Sequence, residues 1–150
     1  MLLTCTLMSA APPRPLATGV ISYARGAQVG DVNASAGTTL YDGDRLSTDE
    51  QGWLRAGTPR YQLQLRPRTA VTLREFSAAG RGGALIEMAV GAIDLSATRT
   101  TPLAVLAQGA RFTSVADKPM VATIEIRGTS KLEKVERVGD AVRGDLGVVR

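Results

Sequence analysis

The chain has 150 residues, 44% of them hydrophobic, with 16 glycines, 7 prolines and only 4% aromatics, enough for one domain with a sizeable core and too little for two. Eighteen Lys and Arg against 14 Asp and Glu leave a net charge of +4, a mildly basic balance compatible with contact to anionic surfaces. No histidine is present, which excludes Ser-His and Cys-His nucleophile pairs and any His-ligated zinc or iron site, and the lone Cys5 cannot form an internal disulfide.

In chain order, Met1 to Ala11 is a short apolar stretch ending in small residues, followed by Pro12-Pro13-Arg14-Pro15. It resembles a degenerate or truncated secretory signal peptide with a Pro-rich linker, so the expected division is 1–15 and a single domain over 16–150. Leu2-Leu3-Thr4-Cys5 resembles a lipoprotein box with almost nothing in front of it. No run approaches the roughly 20 apolar residues of a membrane span, so no transmembrane segment is expected.

From Gly19 the pattern has period two. Val20 to Tyr23 reads as a first strand, Thr38 to Thr48 as a hairpin turning at Asp42-Gly43, and Trp53 to Arg55 as a strand. In Tyr61-Gln-Leu-Gln-Leu65, Tyr61, Leu63 and Leu65 share one face and Gln62 and Gln64 the other, and Pro67 ends the run. Thr69 to Glu75 repeats the alternation with Val71 and Leu73 inward. Residues 78–83 read as a flexible loop, and 84–98 as strand, turn at Gly91, and strand with Ile93 and Leu95 on one face. Strand-like segments continue over 103–108, 111–115, 121–127, 129–138 and 141–143, with turn signals at Val138-Gly139-Asp140 and Arg143-Gly144-Asp145. The sequence closes on Val148-Val149-Arg150 as if opening another strand, so a continuation is expected. The predicted fold is all-β, an antiparallel β-roll or jelly-roll-like sandwich of about ten to fourteen short strands.

Candidate chemistry is sparse. Asp42, Asp44, Asp49 and Glu50 cluster, but the two at the turn use their carboxylates locally and no EF-hand spacing appears, so no catalytic, metal or cofactor residues are expected. A buried Asp44 accepting backbone N–H bonds is the expected role of that residue. Thr48 and Thr69 have no base in a plausible motif. The glycines of 78–83 lack the Gly-Lys-Ser/Thr of a phosphate loop. Trp53 reads as core, with a sugar- or partner-binding platform beside Arg55 as the alternative. Two Phe, three Tyr and one Trp offer bases little to stack on, so no nucleic acid is expected as a partner.

The glycines and apolar residues form a spaced series: Gly19-Val20-Ile21, Gly37-x-x-Leu40, Gly43-Asp44-Arg45-Leu46-x-Thr48, Gly52-Trp53-Leu54, Leu63-x-Leu65, Thr69-x-Val71-x-Leu73, Leu85 and Gly91-Ala92-Ile93. Over about residues 19–98 this resembles a FecR-type domain, whose relatives often carry an Asp-Gly-Ser turn where Arg66-Pro67-Arg68 stands here. The motif residues Gly37, Leu40, Asp42, Gly43, Asp44, Leu46 and Thr48 are turn and core positions, so the resemblance implies a fold more than an activity.

The best-known members of that class relay signals from outer-membrane transporters to sigma factors. These 150 residues show neither a helical anti-sigma segment nor a membrane span, so the implied role is narrower: a non-catalytic periplasmic or otherwise extracytoplasmic bacterial domain that binds an envelope protein or polymer, in or outside cell-surface signalling. The alternative is a carbohydrate-binding or carbohydrate-active β-roll. An exposed edge in the 111–138 region, with Thr123, Glu125, Lys131 and Glu133 outward, is the expected contact for a partner segment.

Overall fold

A computed structural model describes residues 17–78, 80–115, 117–127, 131–137 and 142–145. The proposed leader over 1–15, Cys5 and the Val138-Gly139-Asp140 turn lie outside them. The described residues form twelve strands: β1 (Ala17–Val29), β2 (Val32–Asn33), β3 (Thr39–Tyr41), β4 (Arg45–Thr58), β5 (Tyr61–Leu65), β6 (Ala70–Ala78), β7 (Arg81–Ala97), β8 (Leu103–Ala107), β9 (Ala110–Ser114), β10 (Met120–Arg127), β11 (Lys131–Arg137) and β12 (Val142–Asp145). The fold is all-β, as the period-two pattern predicts.

All twelve belong to one hydrogen-bonded sheet folded on itself into two halves. The first half runs β2-β1-β4-β6-β7-β8-β9-β12, and the second runs β3-β1-β4-β5-β7-β10-β11. Strands β1, β4 and β7 are long because each passes from one half into the other, while β5 and β6 divide the same journey between them at Pro67. The crossing is abrupt in β1 and β4. Their ladder jumps from Arg25↔Trp53 to Ala27↔Thr48, so Asp49 to Gly52 bulges opposite Gly26.

In β7 the crossing occurs at Gly91. Before it Ala84, Ile86 and Met88 are buried, and after it Ile93, Leu95 and Ala97. The buried set changes from even to odd numbers at Ala89, just before that glycine, where the ladder to β6 steps from Val71↔Met88 to Ala70↔Val90; this one extra residue keeps both ends of a 17-residue strand facing the same core. Gly91 has φ +99°, and a Cβ there would lie 2.3 Å from Thr69 Oγ1. The expected strand-turn-strand unit at 84–98 is thus a single bent strand. The reason is that Gly91 supplies a kink and no reversal.

Three further readings are corrected. The expected loop at 78–83 shrinks to a two-residue connection between Ala78 and Arg81. Its last glycines lie within β7, because the Pro102 carbonyl passes so close to Gly83 that a Cβ would meet it at 1.7 Å. Thr38 to Thr48 is not a paired hairpin: β3 and the start of β4 both pair with β1, at different places along it. Arg143-Gly144-Asp145 lies inside β12, laddered to β9 through Gly144↔Phe112, and makes no turn. One pairing is parallel, β7 with β8, because β7 ends in the second half and the chain must return to the first before β8 starts.

Between the halves lies one apolar cluster. Leu46, Leu73, Ile86, Val105 and Phe112 enter it from the first half, and Ile21, Leu54, Leu63, Ile93 and Ile124 from the second, all at most 2% exposed, and Leu40 of β3, fully buried, closes one side. The inward residues of β5 are Tyr61, Leu63 and Leu65, and those of β6 are Val71 and Leu73, as the alternation dictates. No helix among the described residues is long and apolar enough to cross a membrane.

Candidate functional site

The turn motif builds the seam where the two halves meet. Asp44 N–H donates to the Tyr41 carbonyl at 3.1 Å, and Tyr41 N–H donates to the Asp44 carboxylate at 2.8 Å, which closes a turn with Gly43 at φ +88°. That turn is docked on β6. Gly43 N–H donates to the Leu73 carbonyl, Leu73 N–H to the Asp44 carbonyl, and Glu75 N–H to the Asp42 carboxylate. Asp44 does accept a backbone N–H, but it is half-buried where a buried residue was expected, since the turn lies at the rim of the core. Leu40 and Leu46 are in the core, and Gly37 donates its N–H to the Ile21 carbonyl at 2.7 Å.

Thr48 clamps the corner itself. Its hydroxyl donates to the Arg66 carbonyl at 2.6 Å and accepts the N–H of Thr69 at 3.0 Å. The Thr69 hydroxyl, 1% exposed, then donates to the Ala92 carbonyl and accepts the Ala92 N–H. Two threonines therefore stitch three chain segments where ladder hydrogen bonds are interrupted, which satisfies backbone groups that a bend would otherwise leave unpaired. The acidic residues nearby are used singly. Asp49 accepts the Gln51 N–H, Glu50 faces Arg68 at 3.4 Å, and among the described residues no group of three metal-ligating side chains forms.

The expected partner edge is placed differently. Thr123 and Glu125 sit on β10, which is hydrogen-bonded to β7 on one side and β11 on the other, so neither lies on an edge. Lys131 and Glu133 sit on β11, which among the described residues pairs with β10 alone. Sequence alternation identified the outward residues of β10 correctly but carried no information about which strand would cover its flank.

What Thr123 joins instead is a row across the outer face of the second half. The registers Tyr23↔Arg55, Arg55↔Gln64, Gln64↔Asp94 and Asp94↔Thr123 align five outward side chains on five neighbouring strands. At about 4.8 Å between strands, the row is roughly 19 Å long. A parallel row holds Gln62, Ser96 and Val121, and Arg25 stands directly opposite Trp53 at the end nearest the seam. Depressions of ≈ 410 Å³ and ≈ 320 Å³ lie along these rows and share Arg55 and Gln64 in their walls.

Trp53 belongs to this face and not to the core, because Leu54 and Ala56 take the inward positions of β4 and leave Trp53 and Arg55 outward. It is half-buried, and Tyr23 beside it is 50% exposed. Asp94 is neutralised: Arg66 binds it with two donors at 2.9 Å each and the Thr123 hydroxyl donates to it at 2.6 Å. Arg55 donates to the Gln64 side-chain carbonyl at 3.2 Å, and neither Arg55 nor Arg25 has a carboxylate partner or a ring contact among the described residues. The only signal for this face in the sequence was Trp53-x-Arg55 together with the outward Gln62 and Gln64.

On the side where the halves close together, Tyr61 reaches from β5 to donate its O–H to the Thr18 carbonyl of β1. Burial pushes this phenol up from 10.0 to about 12. A depression of ≈ 370 Å³ opens there between Thr18, Arg60 and Tyr61 of one half and Glu75, Gly83 and Thr101 of the other.

The chain matches no protein-family model, no curated protein and no solved structure.

Proposed function

We propose that this is a non-catalytic, FecR-like binding domain of the bacterial envelope, which holds a protein segment or polymer strand on the outer face of the second half of its sheet. The observation that carries the reading is the five-strand row from Tyr23 to Thr123, bordered by continuous depressions and half-exposed aromatic side chains. Along this row β4, β5, β7 and β10 are laddered on both flanks, so a ligand lying across them is held by side chains, and the row supplies guanidinium, amide, hydroxyl and aromatic groups in fixed register.

The FecR likeness and the extracytoplasmic setting rest on the motif series and the N-terminal apolar stretch. The motif residues support that likeness by serving as seam and core, the role such turn-and-core patterns imply. Of the two readings carried by a sugar-like ligand, binding is favoured over hydrolysis. Asp94 is the one carboxylate lining the two depressions, and it is tied to Arg66 and Thr123, whereas glycoside hydrolysis calls for two carboxyl groups about 5–10 Å apart.

The test is site-specific photocrosslinking of the full chain in a bacterial envelope extract, with the reactive group at Gln64 in the row or at Glu87 on the outward side of the first half. Salt-resistant adducts from position 64 alone are the expected result. Equal labelling from both positions, or none from position 64 in a folded protein, would overturn it.

A further inference from the structure

Resting on that reading, we infer that the ligand of this face is an acidic polysaccharide, bound across the strands with its carboxylates on Arg25 and Arg55 and its sugar rings against Tyr23 and Trp53. The charge pattern carries the argument. Among the described residues Arg66 meets Asp94, Arg68 meets Glu50 and Arg74 meets Glu87, while Arg45, Arg60, Arg81 and Arg99 meet no carboxylate; Arg25 and Arg55 are set apart by sharing the walls of one depression with Tyr23 and Trp53. Neither Arg25 nor Arg55 meets a carboxylate, although both are held in the β1–β4 ladder, Arg25 at its last pair before the break at Gly26, and the one acid lining the two depressions, Asp94, is occupied by Arg66. A patch with two arginines unmatched by any carboxylate is complementary to an anion, and a guanidinium fork fits a carboxylate through two parallel hydrogen bonds.

The ring positions narrow the class. Arg25 opposes Trp53 and Arg55 opposes Tyr23, so cation and aromatic alternate along both strands, with aromatics on one diagonal and cations on the other. A pyranose ring presents an apolar C–H face and a hydroxyl rim, and a uronic acid adds a carboxylate at that rim, so one sugar unit can meet an aromatic and a neighbouring arginine together. Beyond the four-residue patch the row turns neutral, with Gln62, Gln64, Ser96 and Thr123. Amides and hydroxyls both donate and accept, which suits hydroxyl groups. A single-stranded nucleic acid would find cations at only one end of this row and neutral amides under the rest of its phosphates.

Trp53 is the sole tryptophan of the chain, so its fluorescence reports directly on the patch. The full chain is titrated with oligomers of polygalacturonate, with neutral dextran oligomers and with oligo-dT. Saturable change in Trp53 emission with the polyuronate, weakened by added salt and lowered about tenfold in affinity by Arg25→Gln or Arg55→Gln, is the expected result. Glu87→Gln, on the other half of the sheet, leaves the affinity unchanged. Unaltered thermal unfolding of the Gln variants confirms that the loss lies in binding. Preference for oligo-dT, indifference of polyuronate binding to both Arg substitutions, or no response to polyuronate overturns the assignment. If dextran or an envelope protein occupies the face while polyuronate does not, the acidic ligand is wrong and the binding face stands. If crosslinking from Gln64 also fails, both fall.

Discussion

Thr48 shows how one hydroxyl can be worth more than its exposure implies. It is half-buried, yet it satisfies the N–H of Thr69, a residue 1% exposed, and donates to the Arg66 carbonyl. Replacing it by valine keeps the shape and the strand preference while leaving a buried donor unpaired, which costs about 1–3 kcal/mol. Thr48→Val is expected to lower the unfolding free energy by that amount, read as a lower urea midpoint with an unchanged m-value, and Thr48→Ser to recover most of it. A loss no larger for valine than for serine would mean that the clamp adds nothing. The sequence identified Thr48 as a motif position but not its use, because the Arg66-Pro67-Arg68 segment that it binds lies 18 residues away and is brought there only by the β4, β5 and β6 pairings.

Among the elements, β7 depends most on a single residue. Gly91 combines φ +99° with a Thr69 hydroxyl 2.3 Å from any added Cβ, so Gly91→Ala is expected to destabilise by about 3 kcal/mol or more, measured by chemical denaturation. Strand β10 carries a second expectation. With β7 and β11 on its two flanks, Glu125→Pro removes an interior ladder bond and unfolds the region, which loss of the β-sheet circular dichroism would register. The alternation in β5, β6 and β10 made the inward residues legible from the sequence. The crossing at Gly91 was not, since a glycine between two apolar runs serves equally as a turn or as a bend, and only the closure of the second half selects the bend. The Tyr23-to-Thr123 row was illegible for the related reason that its register spans residues 100 positions apart.

At the scale of the whole molecule, the two halves are joined at the seam by threonines, and on the opposite side the start of β1 is tied into the second half by Tyr61 of β5. Its phenol is raised to about 12 from 10.0, so the folded protein holds that proton more tightly than the unfolded chain does. Stability from this group is complete below pH 10 and is lost as the pH rises from 10 towards 12, a difference of about 3 kcal/mol at most. Unfolding free energies measured across that interval are expected to fall in the native protein. In Tyr61→Phe, which is weaker by about 1 kcal/mol at neutral pH for want of the bond to Thr18, the fall over the same interval is smaller.

The shared strands also govern how the chain can be made. Because β1, β4 and β7 each serve both halves, no contiguous stretch of sequence contains a finished sheet, and both halves stay open until residues 81–97 join β6 to β8 and β5 to β10. A polypeptide emerging from its N-terminus therefore has nothing stable to become until more than half of it is free, and then both halves condense together. A fragment ending at Gly80 is expected to remain unfolded, and the intact chain to refold over milliseconds to seconds in one kinetic phase, at the slow end for its length.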